Sequence, residues 1–376
     1  MWFIIFYYIC HYFLTKIVKM KKQLHVWLRS GRERLGLSLQ EAAARLGIDK
    51  TLLSRIEHGR RLPTEEQARA LANLYDFPVE EVLTLRLAEK VVQLVGYDER
   101  ALEVLTVAES RIEYLVRAKE EAPSFLPKGL ARLLDEITAL QRQWQAKRPL
   151  DTFVLQKMRE YFKIAYTHDS NRIEGNTLTL QETELVVSQG LTIAGKSLRE
   201  HLEAVNHAEA VDMLYAVVAE RLPLDKRLVL QLHAIILKSI APEHAGCYRK
   251  VPVRITGSSH RPPQPYLLDK LMEDYFKWYR ETAVHMHPVL QAAEMHERLV
   301  SIHPFVDGNG RTARLVMNFI LLQHGYPIVI LKGDDTSRLA YYRALEAVQK
   351  DNEPEHFYRL VAEATKRSLE EHLSMV

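Results

Sequence analysis

The stretch His303-Pro-Phe-Val-Asp-Gly-Asn-Gly-Arg-Thr-Ala-Arg314, which runs directly into the apolar segment LVMNFILLQ, constrains this chain more than any other. Gly308 and Gly310 flank Asn309 just before a helix. Such a loop aims free backbone N–H groups, and the positive end of the helix dipole, at an anion. Asp307 adds a hard oxygen ligand of the kind Mg2+ takes. Arg311 and Arg314 are three residues apart, which sets both guanidinium groups near one face of the first helical turn, as a polyphosphate requires. His303 precedes the loop, where a neutral imidazole can take a proton from an attacking hydroxyl. A lone Gly-x-Gly or a lone histidine is weak; a base, a metal ligand, a phosphate loop and two arginines within one short stretch are not.

The 376 residues are too many for one ordinary core and suit two domains. Two cysteines, Cys10 and Cys247, make neither a disulfide scaffold nor a zinc site, which fits a reducing cytoplasm. Residues 1–22 stand outside the fold argument. MWFIIFYYICHYFLTKIV has no charge before Lys16, yet it is short for a membrane span and lacks a basic start and a small-residue cleavage site. It reads as an over-extended start ahead of Met20, with a membrane anchor and an unstructured tail as the alternatives.

Residues 23–83 read as five short helices broken by Gly31, Gly36, Gly47, Gly59, Pro63 and Pro78. Residues 84–150 read as a helical connector, interrupted by Pro123 and Pro127 and closed by Pro149. Residues 151–376 form a second helical domain. Its one departure is VPVRITGSSHRPPQPY (251–266), where Val251, Val253 and Ile255 alternate before a Gly-Ser-Ser turn and predict a short β-hairpin. The fold class is therefore mainly α.

In the first domain, Ser38 with Glu41 makes a capping box, and Gly47 ends that helix. The next helix starts near Asp49. It turns Leu52, Leu53 and Ile56 inward and Lys50, Thr51, Ser54, Arg55 and His58 outward. Between Lys21 and Arg61 ten basic residues face four acidic ones, a surplus of six in a chain whose net charge is +3. Two helices joined at a glycine, the second exposing donors, suit nucleic acid. This whole run resembles the repressor-like (Cro/C1, XRE) helix-turn-helix. The resemblance implies that Gln40 and Ser54 touch DNA backbone or bases, and that Lys50, Thr51 and Arg55 read the major groove. It also implies that Arg32 and Glu57 form an internal ion pair.

The loop at 303–314 resembles the Fic signature H-x-F-x-[DE]-G-N-G-R-x-x-R at every fixed position. The resemblance implies a protein adenylyltransferase that moves AMP from Mg-ATP to Ser, Thr or Tyr hydroxyls. His303 is then the base, Phe305 packs the loop into the core, and Asp307 holds Mg2+. Asn309, with the amides around Gly308 and Gly310, takes the α- and β-phosphates, while Arg311 and Arg314 take the outer ones. An intact Gly-Asn-Gly-Arg separates the chain from the Doc-like branch. Residues of about 248–266 resemble the family's flap, so Val253, Arg254 and Ile255 are expected to pair with an extended target. Tyr342 lies where relatives place an adenine-side contact, and Gln349 falls where some carry Asn.

Upstream, HDSNRIEGNTLT (168–179) sets Ser170 and Glu174 one turn apart, followed by Gly175. Alone, Glu174 is an ordinary helix-end charge. Beside the signature, the segment of about 160–176 resembles the family's inhibitory helix, whose glutamate pairs with the second arginine, here Arg314. The same glutamate positions water for AMP removal in some relatives. The expected partners are protein hydroxyls, this chain's own included, and DNA, with a homodimer allowed and no membrane. Two alternatives stand beside this reading: a transcriptional regulator that uses the second domain as a nucleotide sensor, and transfer of UMP or GMP.

Overall fold

The computed structural model describes residues 23–106, 108–109, 112 and 126–376, so the reading of residues 1–22 lies outside the described residues. The chain divides between Glu109 and Ser110 into two units, each with its own core.

The first unit contains α1 (Leu24–Arg34), α2 (Leu39–Leu46), α3 (Lys50–Glu57), α4 (Glu65–Tyr75) and α5 (Val79–Val95). Its boundaries follow local chemistry. Ser38 and Glu41 form the expected box, with Ser38 N–H donating to the Glu41 carboxylate at 2.8 Å. Such a cap is worth about 1 kcal/mol. Gly47 closes α2 at φ 64°, a left-handed conformation that costs a glycine nothing. Asp49 then caps α3 by accepting from Thr51 N–H at 2.7 Å. Leu28, Leu53, Ile56, Leu71, Tyr75 and Val82 fill the core.

The second unit contains α6 (Lys128–Ala146), α7 (Thr152–Ile173), α8 (Leu180–Gln189), α9 (Leu198–Ala219) and α10 (Lys226–Leu237). It continues with α11 (Leu268–Glu281), α12 (Pro288–Ile302), α13 (Asn309–Gln323), α14 (Asp335–Asp351) and α15 (Glu355–Leu373). α13 is the centre: every residue from Arg311 to Leu321 is buried. A helix enclosed on all sides can show a ligand only its ends, and here the N-terminal end carries the glycine loop.

Two sequence expectations change. The stretch 84–150 is not one connector. α5 starts before it and belongs to the first core, whereas α6 buries Leu130, Leu134, Ile137 and Trp144 in the second. Each amphipathic helix joins the core that can cover its apolar face. The hairpin is the second correction, because no strand forms among the described residues. Residues 251–266 are extended around a turn in which Ser258 N–H donates to Ile255 O at 3.2 Å. Pro252, Pro262 and Pro263 have no N–H to give to a ladder. Arg249 takes carbonyls a ladder would use, donating through Nη1 to Val251 and through Nη2 to Pro263. No helix among the described residues is long and apolar enough to cross a membrane.

Candidate active site

His303 ends α12 at φ 50°, a left-handed conformation for a non-glycine residue, with its N–H donated to Leu299 O at 2.9 Å. Such a backbone costs about 1–3 kcal/mol and needs surrounding structure to impose it. Arg249 does so from the extended segment. Its Nε donates to His303 O at 2.8 Å and its backbone N–H to Pro304 O at 2.9 Å. The imidazole Nδ1 lies 3.1 Å from Val300 O. A carbonyl only accepts, so Nδ1 carries the proton and Nε2 keeps its lone pair. Burial pushes the His303 pKa down to about 4, so the ring is neutral at pH 7.

Beneath the loop, Phe305 is fully buried and stacks on His233 with centroids 3.6 Å apart. Burying such a ring contributes about 1.5–3 kcal/mol. His233 accepts Gly246 N–H at Nδ1 (3.0 Å) and so donates from Nε2 to Asp307 O, also at 3.0 Å. Asn309 accepts Phe305 N–H and donates to Phe305 O, both at 2.9 Å. One donor and one acceptor position of its amide thus close the loop, and the first backbone N–H groups of α13 stand free at its mouth. Gly308 stands at φ 77° as the N-cap of α13, packed over Ile236 and His233.

Asp307 accepts at Oδ1 from Gly308 N–H and from Arg311 Nη2 (3.2 Å), and at Oδ2 from Arg199 Nη2 at 2.7 Å. Burial raises its pKa, but Arg311, the Gly308 N–H and Arg199 outweigh it and hold the carboxyl below its usual range. Arg311 is buried, with Nη2 held by Asp307, Nη1 3.6 Å from Glu203 Oε1 as an ion pair, and Nε making no hydrogen bond.

Arg314 is 1% exposed and reaches back to α7. Its Nε donates to Ser170 Oγ at 3.0 Å, and its Nη2 donates to Ser170 O at 2.9 Å and to Glu174 Oε1 at 2.7 Å. Burial opposes its charge, yet Glu174 and Tyr341 together hold the guanidinium above its ordinary pKa. The Glu174 carboxylate lies so close over the start of α13 that a Cβ built on Gly310 would collide with Oε1. It therefore sits at the positive end of the helix dipole, where an anion binds best. Gly175, at φ 98°, turns the chain away immediately afterwards.

Beside the carboxylate lies a cavity of about 430 Å³ lined by Ile173, Glu174, Gly175, Asp335, Arg338, Leu339 and Tyr342. Tyr342 donates its hydroxyl to Ile173 O at 2.8 Å and leaves its ring at the wall. Gln349 does not line this cavity; it is buried and donates to Ser301 Oγ at 3.1 Å. Val253 and Ile255 are half-buried along the extended segment, with Arg254 exposed between them. In the first unit, Gln40, Lys50, Thr51 and Arg55 are exposed and Ser54 is half-buried. Arg32 donates from Nε to both oxygens of buried Glu57, at 3.1 and 2.9 Å.

Sequence reading missed Arg199, Glu203, His233, Arg249 and Tyr341. Arg199 and Glu203 are four apart on α9, a legible helix-face pair, but nothing local says that this face meets Asp307.

Residues 223–321 match the profile of the Fic/DOC family, and residues 26–85 match that of a helix-turn-helix domain. A protein of Drosophila mojavensis named "Protein adenylyltransferase Fic" is 31% identical over 365 residues, 92% of this chain and 69% of that relative. A protein of the same name from Drosophila persimilis is 32% identical over 356 residues, 92% of this chain and 66% of that relative. The chain thus spans about two thirds of the length of these curated relatives. Among solved structures, Fic-1 from C. elegans is 26% identical with a TM-score of 0.59, covering 94% of this chain and 98% of its own. A Fic domain containing signaling protein from Bacteroides thetaiotaomicron is 28% identical with a TM-score of 0.58, covering 64% of this chain and 97% of its own.

Proposed function

The chain belongs to the Fic/DOC family, and from that premise we propose that it transfers AMP from Mg-ATP to Ser, Thr or Tyr hydroxyls of proteins. The observation that carries the reading is a neutral His303 with its Nε2 lone pair open beside an anion-seeking loop. Nε2 takes the hydroxyl proton, the oxygen bonds to the α-phosphorus, and the bond to the β-phosphate oxygen breaks to release pyrophosphate. The N–H groups at the mouth of α13 and the Arg311 guanidinium take the phosphates. Asn309 holds the loop in the shape that aims them. The cavity walled by Tyr342 takes the nucleobase.

Mg2+ fits what is present. The ion takes one or two carboxylates plus substrate phosphates rather than an all-protein cage, and Asp307 is an ionised carboxylate beside the loop. When bound, it would neutralise charge on the triphosphate. Glu174 acts as a brake by holding Arg314 and filling the place of the outermost phosphate. The same carboxylate, facing water when Arg314 is released, would orient a water for removal of AMP.

The first unit binds DNA through α3, with Lys50, Thr51 and Arg55 toward the major groove and Gln40 and Ser54 toward backbone or bases. Such modules pair on two half-sites, which supports a homodimer. The exposed free thiol of Cys247 suits a reducing cytoplasm. Intact-mass measurement of the wild type and Glu174→Gly with Mg-ATP, Mg-UTP and Mg-GTP tests the activity. One AMP gained by the mutant supports the proposal; UMP or GMP instead would redirect it, and no adduct with a bound nucleotide would favour a sensor.

A further inference from the structure

Asp307, a carboxylate of the loop itself, has partners on both oxygens in this structure, and the two are held differently. Oδ1 is held by Gly308 N–H and by Arg311, which is 2% exposed. Oδ2 is held at 2.7 Å by Arg199, whose side chain is 59% exposed in the first turn of α9. Arg199 is steadied by Glu203, accepting at Oε1 from Arg199 Nε at 3.1 Å. Oε2 of that same glutamate accepts from Asn176 Nδ2 at 3.0 Å, just past the Glu174-Gly175 turn.

Building on the assignment of Asp307 as the metal carboxylate, we propose that Arg199 is a removable guard on it. The guanidinium holds Oδ2 in the nucleotide-free protein and must swing into solvent before a divalent cation is taken. A hard cation and an arginine compete for the same oxygen, and each excludes the other. The asymmetry makes Oδ2 the oxygen that opens: a half-exposed arginine leaves an ion pair at little cost, whereas Arg311 would have to abandon buried charge. Arg199 is a positioning residue, since it acts only through Asp307. Ser197 caps α9 independently of it, so its substitution leaves the helix start intact.

Electron paramagnetic titration of Mn2+ with the unreactive α,β-methylene analogue of ATP tests this, in a Glu174→Gly background so that the nucleotide enters freely. Arg199→Gln should tighten Mn2+ about two- to fivefold at low salt, the range of an exposed ion pair. The gain should shrink as salt screens the guard. Arg199→Lys, which keeps the charge but not the fork, should fall between wild type and Arg199→Gln. Unchanged or weaker Mn2+ binding by Arg199→Gln, with Asp307→Ala still losing the metal, overturns the guard alone. Full Mn2+ affinity in Asp307→Ala removes the metal assignment itself, and the guard with it.

Discussion

Each unit of this protein contains an arginine–glutamate pair, and the two are built in opposite senses. In the first unit the glutamate is the enclosed partner: the Glu57 side chain is 1% exposed, and it is bound by Arg32 and by the Tyr75 hydroxyl at 3.2 Å. In the second the arginine is enclosed, with the Arg314 side chain 1% exposed, and the Glu174 side chain is 33% exposed. Glu57 has nowhere to go, so its pair is a lock between α1, α3 and α4. Glu174 stands at a helix end beside an open cavity, and Arg314 keeps Ser170 and Tyr341 as partners without it. In the proposed function the second pair is a latch, because its more exposed member can leave the site while the arginine stays.

The largest effect should come from a change that touches neither pair. His303→Ala should lower AMP transfer by about 10²- to 10⁴-fold while the protein still binds ATP, since only proton transfer is lost. Transfer measured against pH should hold level above pH 5 and fall as acid protonates His303, whose pKa is about 4. A base works only when neutral, so the loss lies on the acid side; near-wild-type transfer by His303→Ala would remove the assigned base.

Breaking the lock should come next. Arg32→Ala leaves Glu57 buried without its cation and should destabilise the first unit by about 3–5 kcal/mol in chemical denaturation. An unchanged midpoint would mean that Glu57 finds water. Opening the latch leaves Arg314 buried with only Ser170 and Tyr341 as partners, so Glu174→Gly should also lower the denaturation midpoint. The same change should tighten ATP by about ten- to a hundredfold by calorimetry, the worth of a charge-assisted contact of about 1.5–3 kcal/mol. The double change with Arg314→Ala should bind no better than Arg314→Ala alone, since the released guanidinium is what gains. Equal ATP affinity in Glu174→Gly and wild type would make Glu174 an ordinary helix end.

The smallest effect concerns exposed charge. Lys50→Ala with Arg55→Ala should weaken binding to a preferred DNA sequence in gel shifts while changing binding to unrelated DNA much less, because these side chains face the bases. AMP transfer should not change. An equal loss on both DNAs, with a smaller salt slope, would mean that the two side chains meet phosphates instead.

Much of this was legible before any coordinates. The Ser38–Glu41 box and the Gly47 stop lie within a few residues of their partners and formed as read, and the next helix starts beside Asp49 as expected, with Asp49 as its cap. The loop at 303–314 was legible because a helix mouth, its glycines and its first-turn arginines are local geometry. The hairpin misled because alternation at Val251, Val253 and Ile255 reports which way side chains point, not whether backbone donors find acceptors. Arg249 and the prolines answered that otherwise. Asn309 was expected at the phosphates, yet both ends of its amide are met by the backbone of Phe305, four residues earlier.

What the sequence determined by itself was therefore the helical class, the helix ends near Ser38 and Gly47, and the two glycines at the mouth of α13, because those depend on neighbours within a turn or two. The tertiary structure alone decided which charges are trapped and which are free. The pairing of Glu174 with Arg314 across 140 residues was expected only through the family resemblance, and the reach of Arg199 to Asp307 across 108 was not read at all. No local pattern carries either contact. Burial is set by how whole helices pack, and burial decides whether the same carboxylate or guanidinium is a lock, a latch or a guard.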